Sequence, residues 1–269
     1  MDKASVIGIG VGIGALLLGN ALEGGHVSAL LQPTAAIIVV GGTLGATLVS
    51  FPLTTFLEAC RAFKLVFKGG KKDDTSALIK EITTLAMKAR RDGILSLEDQ
   101  LPSVQHPFLR RALIMAVDGL DSKAMRDNLE GMLDRIDEDG ERSAKVWEAA
   151  GGYAPTIGII GAVMGLIHVM QNLTDVGAVG KGIAVAFVST IYGVGLANLV
   201  FLPAATKLKL LNKAEIAKLE LMMEGALGIQ EGQNPNLIAE KLSNLGRPET
   251  NDEQEPTEPT KEGVPAEAG

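Results

Sequence analysis

Four stretches of this chain contain no Asp, Glu, Lys or Arg: Ala4 to Leu22, Gly24 to Leu57, Ala149 to Thr174 and Gly182 to Thr206. The hydrocarbon core of a bilayer is about 30 Å thick, and about 20 apolar residues cross it at about 1.5 Å each. The long second stretch is divided by Pro33 and Pro52, which suit a helix start and a helix stop, leaving about 18 residues between them. The expected fold class is therefore an all-α membrane protein with four transmembrane helices. Four charge-free blocks of this length are unusual in a soluble fold of 269 residues. The first block does not read as a signal peptide. Asp2 and Lys3 give no net positive charge ahead of it, and Asn20-Ala21-Leu22-Glu23 is not an A-x-A cleavage site. The single cysteine, Cys60, rules out an intrachain disulfide.

Basic residues set the expected orientation. There are none from Glu23 to Gln32, and only Lys181 lies between the third and fourth blocks. Arg61, Lys64, Lys68, Lys71 and Lys72 follow the second block, and Lys207, Lys209 and Lys213 follow the fourth. The positive-inside rule then places both termini and residues 58–148 in the cytoplasm of a multi-pass membrane protein. Five regions are expected. Residues 1–57 hold transmembrane helices 1 and 2, and 58–148 form a charged helical cytoplasmic insert. Residues 149–206 hold helices 3 and 4, 207–246 a cytoplasmic helical extension, and 247–269 a disordered acidic tail with seven acidic residues and four prolines. The insert is densely charged yet nearly neutral, with 16 Lys/Arg and 17 Asp/Glu. Its apolar residues recur at helical spacing: Leu78, Ile82, Leu85 and Ala89 share one face, and Gly93 sits where that helix would end.

Enzyme signatures are missing: the chain has no GxxxxGK[ST], GxSxG, HExxH or CxxC. Neither a catalytic residue nor a cofactor is expected. His26, His106 and His168 are far apart in sequence and no cysteine accompanies them, so no metal site is expected, nor is a nucleic-acid partner. The spans do carry stripes of small residues. Gly158, Gly161, Gly165, His168 and Asn172 share a face, as do Ala186, Thr190, Gly193 and Ala197, and Gly8, Gly12, Ala15 and Gly19. Small faces let helices approach closely in lipid, either within one chain or between chains. His168 is an ionisable group inside a span, and reads as a hydrogen-bonded polar lining rather than a proton carrier. No span contains Asp or Glu, the usual carboxylate of an ion relay, so any such carboxylate must come from another polypeptide. Ser189, Thr190 and Tyr192 could only line such a path. In "ARRDGILSLED" (89–99), Arg90 and Arg91 precede a glycine break and Glu98 and Asp99 follow it. That pattern fits an ordinary solvated helix end, or a surface that docks a charged partner.

Two spans, a charged insert, two spans and a tail, in that order, resemble the MotA/PomA subunit of the bacterial flagellar motor stator. The most specific parts are "RRDGILSLED", "GGYAPTIGIIGAVMGLIHVM", "AVAFVSTIYGVGLANLVFLPAA" and "GIQEGQNP", and the likeness covers residues 1 to about 245. The resemblance implies a homo-oligomer, five copies in known members, around a dimer of a single-span partner. That partner supplies the ion-binding aspartate and anchors to peptidoglycan. Ion flow between the chains then drives the subunits against the rotor's switch complex. The family's torque charges fall on Arg90 and Glu98, with Arg91 and Asp99 as auxiliaries, and a further acid maps to Glu138. Its two coupling prolines match Pro155 and Pro203, where a missing backbone donor would weaken each cytoplasmic helix end.

For ion choice, sodium-type members resemble "GxIGT" where this chain reads "GIIGA", so Ala162 replaces a threonine while Thr190 is retained. Alanine offers no oxygen to a hard cation, which implies a proton-driven stator. The alternative reading is a proton-channel energising subunit of the ExbB/TolQ type, which typically has three spans and lacks the torque loop. An autonomous transporter would be expected to carry its own polar groups at mid-membrane, and here there are almost none.

Overall fold

The structure, a computed structural model, describes residues 2–68 and 75–246. Lys71, Lys72 and the expected acidic tail lie outside these residues. Every element described is helical. Asp2 caps α1 (Lys3–Leu22), accepting the Ala4 amide at 3.3 Å. Pro33, at the first turn, opens α2 (residues 33–50), which widens into a π turn at Ile37–Gly41. After Pro52 comes α3 (Leu53–Lys68), then α4 (Thr75–Asp92), a run of 3-10 turns at Ile94–Ser103, and α5 (Pro107–Val117). A 50-residue helix, α6 (Ser122–Gln171), is capped by Asp121, and α7 (Val176–Gln230) is capped by Asp175. The chain then forms α8 (Pro235–Leu245).

Four helices, α1, α2, α6 and α7, are long and apolar enough to cross a membrane. They also leave large apolar side chains exposed, including Val11, Leu18, Ile159, Ile160, Val163, Met164, Leu166 and Ile167. Water would penalise that surface at about 25 cal/mol per Å², whereas lipid or a neighbouring apolar helix does not. The regional boundaries at 148/149 and 206/207 fall inside α6 and α7, because both helices run without interruption from the spans into the insert region.

Two cores lie along these long helices. One unites α4, the 94–103 turns, α5 and α8 around the outer parts of α6 and α7, with Ile82, Leu97, Leu109, Leu113, Met125, Leu129, Met222 and Leu242 fully enclosed. The other sits where the spans leave their charge-free blocks. It combines Ala59 and Val66 with Trp147, Ala150, Ala204 and Leu208, and gathers Phe51, Phe56, Phe63, Phe67 and Phe201. Those are five of the seven phenylalanines in the chain, and they join its only tryptophan at one level. The Trp147 indole donates to the Ala59 carbonyl at 3.0 Å, fixing α3 against α6. Between the cores is a polar waist, where Asn212 of α7 donates to Asp137 Oδ1 at 2.6 Å and packs against Gly140 of α6.

The first core is closed by one carboxylate. Glu224 of α7 accepts from Arg126 of α6 at 2.7 Å and from Lys241 of α8 at 2.6 Å. Burial pushes this carboxyl up, but the hydrogen bonds from Arg126 and Lys241 outweigh it and hold it below the usual carboxylate range. A depressed folded pKa contributes stability that is present above the unfolded value and is lost as pH falls through the folded one. The full chain in detergent is therefore expected to lose thermal stability as pH drops below about 4.3, the ordinary Glu pKa. Glu224→Gln should lower stability by about 1–2 kcal/mol at pH 7 and flatten the acid loss, read from melting temperature against pH.

Candidate functional site

The core of the membrane region is the antiparallel contact between α6 and α7, which meet backbone to backbone. A Cβ placed on Gly158 would lie 2.8 Å from the Ser189 carbonyl oxygen and 3.2 Å from the Gly193 Cα. One on Gly165 would lie 2.7 Å from the Gly182 oxygen, and one on Gly193 2.5 Å from the Ala154 oxygen. The small stripes of the third and fourth spans thus face each other within one chain. The α1 stripe differs: Gly8 and Gly19 meet nothing within 4 Å, and only Gly12 touches α7, at Leu199.

Polar groups of the spans divide into buried and open sets. Ser189 is fully buried against Gly161, and its hydroxyl has no hydrogen-bond partner among the described residues. Thr190 is half-buried and bonds back to the Ala186 carbonyl at 3.3 Å, and Ala162 is likewise half-buried. The Tyr192 hydroxyl donates to the Leu30 carbonyl at 2.5 Å and accepts the Gln32 amide at 3.4 Å, so it ties the α1–α2 connection to α7. His168 is exposed rather than buried in the glycine row. Sequence reasoning did not single out Thr43 and Thr47, which are buried in α2; Thr47 donates to the Thr43 carbonyl at 2.7 Å. Nor did it single out the Ser50–Tyr153 hydroxyl pair, 2.8 Å apart. The signal was available, since Thr43, Thr47 and Ser50 recur at spacings of four and three along one helix face.

The two prolines lie inside long helices rather than at helix ends. Pro155 is internal to α6, and Pro203 follows a π turn at Ala197–Phe201 in α7. The wide turn absorbs the ring that would otherwise collide with the preceding turn, so the helix continues. Both sit at the same level of the packed pair, because Gly151, one turn before Pro155, lies against Leu202, next to Pro203.

At the far end, α4 breaks at Gly93, whose φ of +88° favours glycine. Leu97 is fully buried beneath the following turns, and Arg110 donates to the Val104 carbonyl through Nε at 3.1 Å. That anchoring leaves Glu98 and Asp99 exposed on one side of the break and Arg90 and Arg91 on the other. Arg91 is engaged by Asp92 at 2.8 Å, whereas Arg90, Glu98 and Asp99 make no ion pair among the described residues. Glu138 lies elsewhere, on the waist of α6, 3.5 Å from Arg142. His106, next to this turn, is 3.7 Å from Glu215; burial and nearby Lys218 push its pKa down against the pull of that carboxylate. No cluster of His, Cys, Asp or Glu that could hold a metal occurs among the described residues.

Because Tyr192 satisfies two backbone groups of the connection, Tyr192→Phe should free residues 27–32. A loss of about 1–3 kcal/mol is expected, visible as faster amide hydrogen exchange in that segment.

Comparison with known proteins agrees with this arrangement. Residues 6–93 match the model described as motility protein A N-terminal, and residues 100–221 match the MotA/TolQ/ExbB proton channel family. Motility protein A of Bacillus subtilis (strain 168) is 36% identical over 242 residues, covering 90% of each chain. The flagellar MotAB stator complex from Bacillus subtilis superposes with a TM-score of 0.83 at 35% identity, covering 90% of this chain and 96% of that one. C. jejuni MotAB gives 0.86 at 29% identity, covering 93% and 98%. The exposed apolar spans, the glycine-packed helix pair and the charged turn thus occur in a chain that belongs to the motility protein A family of flagellar stator subunits, within the MotA/TolQ/ExbB proton channel family.

Proposed function

We propose that this subunit conducts protons jointly with a single-span partner and passes the resulting motion to the rotor through Arg90 and Glu98. The observation that carries this reading is the absence of any Asp or Glu from the four charge-free blocks. A proton relay needs a titratable group at membrane depth, so the partner's aspartate supplies it and this chain supplies the lining. Ala162 and Thr190, half-buried within the single chain, are the lining groups, with His168 nearer the outer surface. The lack of an oxygen at position 162 favours protons over sodium. Large exposed apolar faces on all four spans favour a ring of copies, five around a partner dimer, embedded in lipid. Both termini and the insert face the cytoplasm, as the lysine and arginine distribution favours.

Rotor contact falls to Arg90 and Glu98, whose charges are exposed and uncommitted among the described residues, with Asp99, also uncommitted, and Arg91, already shared with Asp92, as auxiliaries. Glu138 would act from the waist. Pro155 and Pro203, level with each other on the glycine-packed pair, are where ion passage bends the long helices. The ExbB/TolQ-type reading is the less favoured one, because the match to the motility protein A N-terminal model covers the first two spans.

Charge reversal tests the rotor role. Arg90→Glu combined with Glu98→Lys should abolish swimming while ion conduction through the assembled complex stays intact. Unchanged motility in the double variant would remove the torque assignment. Wild-type rotation should also persist without sodium, and sodium-dependent rotation would overturn the ion assignment.

A further inference from the structure

The loosest part of the membrane region is α1, which has no buried residue. Between it, α3 and α7 lies a cavity of about 830 Å³ whose walls include Gly8, Ile9, Phe63, Val66, Leu199 and Pro203. Gly8 is about 7 Å along α1 from Lys3, and Leu199 about 12 Å along α7 from Lys207. Those lysines flank the charge-free blocks, so the floor lies in hydrocarbon and the mouth at headgroup level. Two independent features mark the same level. Phe63, Phe67, Trp147 and Phe201 cluster there, with successive ring centroids 4.7–5.8 Å apart, and aromatic residues are enriched at membrane interfaces. Meanwhile α3 exposes Leu53, Leu57 and Leu65 alongside Arg61, Lys64 and Lys68, the pattern of a helix lying in the interface.

We infer that this cavity is a binding site for an anionic phospholipid, with an acyl chain between α1, α3 and α7 and the phosphate at a rim of lysines. Lys207 is committed, donating to Ser5 Oγ at 2.6 Å and pairing with Asp2. Lys3, Lys64 and Lys68 do not line the cavity but adjoin its lining residues Ala4, Phe63 and Phe67, and the Asp2 amide donates to the Phe67 carbonyl at 3.0 Å, which brings the two helix ends together. The three lysines are exposed and make no ion pair among the described residues, so the mouth carries positive charge. An anionic headgroup answers that charge at about 1 kcal/mol per lysine, whereas an apolar span of a second copy would not. The walls offer few polar atoms, so ordered water does not fill the space. The inference rests on the chain spanning a membrane and is independent of the proton and rotor assignments.

Native mass spectrometry of the full-length chain, delipidated in mild detergent and re-exposed to phosphatidylglycerol or phosphatidylcholine, tests it. Wild type should retain phosphatidylglycerol with about fivefold to thirtyfold preference, the gain from one to two lysines. Lys64→Gln with Lys68→Gln should bring that preference close to one. A side chain at Gly8 meets nothing within 4 Å, so Gly8→Leu should fold normally, fill the cavity and lower retention of both lipids. Ile9→Phe serves as a second filling variant should Gly8→Leu fail to fold. Equal retention of the two lipids by wild type, or undiminished retention by the filling variants, would overturn the inference. So would efficient Gly8→Cys crosslinking between copies, which would place a second chain in the cavity.

Discussion

Everything in this molecule hangs on the contact between Gly158, Gly161 and Gly165 of α6 and Gly182, Ser189 and Gly193 of α7. In lipid no hydrophobic force drives helices together, so association depends on close packing of backbone surfaces. With Gly193 a Cβ-width from the Ala154 carbonyl and Gly165 equally close to that of Gly182, the two helices behave as one body through the membrane. Neither helix ends at the bilayer surface. At about 1.5 Å per residue, the 50 residues of α6 extend about 75 Å, from the α6–α7 connection to the core beneath the charged turn. The turn carrying Arg90 and Glu98 is thereby seated on a core built partly from the same two long helices.

Two collars hold this shaft. The aromatic core, with Trp147 bonded to Ala59, ties α3 to α6 where the spans meet the polar medium. Farther out, Glu224 clasps α6, α7 and α8 through Arg126 and Lys241. The waist between them contains no buried core residue; Asn212 against Asp137 and Gly140 is its main lateral tie. Bending is therefore most readily accommodated there and at the level of Pro155 and Pro203, where backbone donors are missing.

The spans, the helical insert and the break at Gly93 were all legible in the sequence, because each rests on local rules: block length, helical period and a positive φ. The facing glycine stripes were legible as stripes, but not as partners, since pairing is a property of tertiary packing. The two prolines show the same limit. Alone, each reads as a helix end, yet α6 runs unbroken through Pro155 and α7 continues past Pro203 by way of the π turn before it. Among site residues, Ser189 and Thr190 are neighbours in sequence and separate in space, one sealed against Gly161 and the other at a half-open face. Only the rotation of α7 about its axis decides that, and composition does not encode it. The missing acid in the spans was equally legible, and it is the feature on which the proposed partner carboxylate rests.

The glycine contact can be tested most directly by comparing two alanine substitutions on the same helix. Intrinsic helix propensity favours alanine over glycine by about 1 kcal/mol at any open helical position. At Gly195 nothing lies within 4 Å of a new Cβ, so Gly195→Ala should leave the melting temperature of the purified protein unchanged or raised. At Gly193 the new carbon would sit 2.5 Å from the Ala154 oxygen, so Gly193→Ala should lower the melting temperature despite the same propensity gain. Equal tolerance of both substitutions would contradict the claim that backbone contact between α6 and α7 holds the membrane region together.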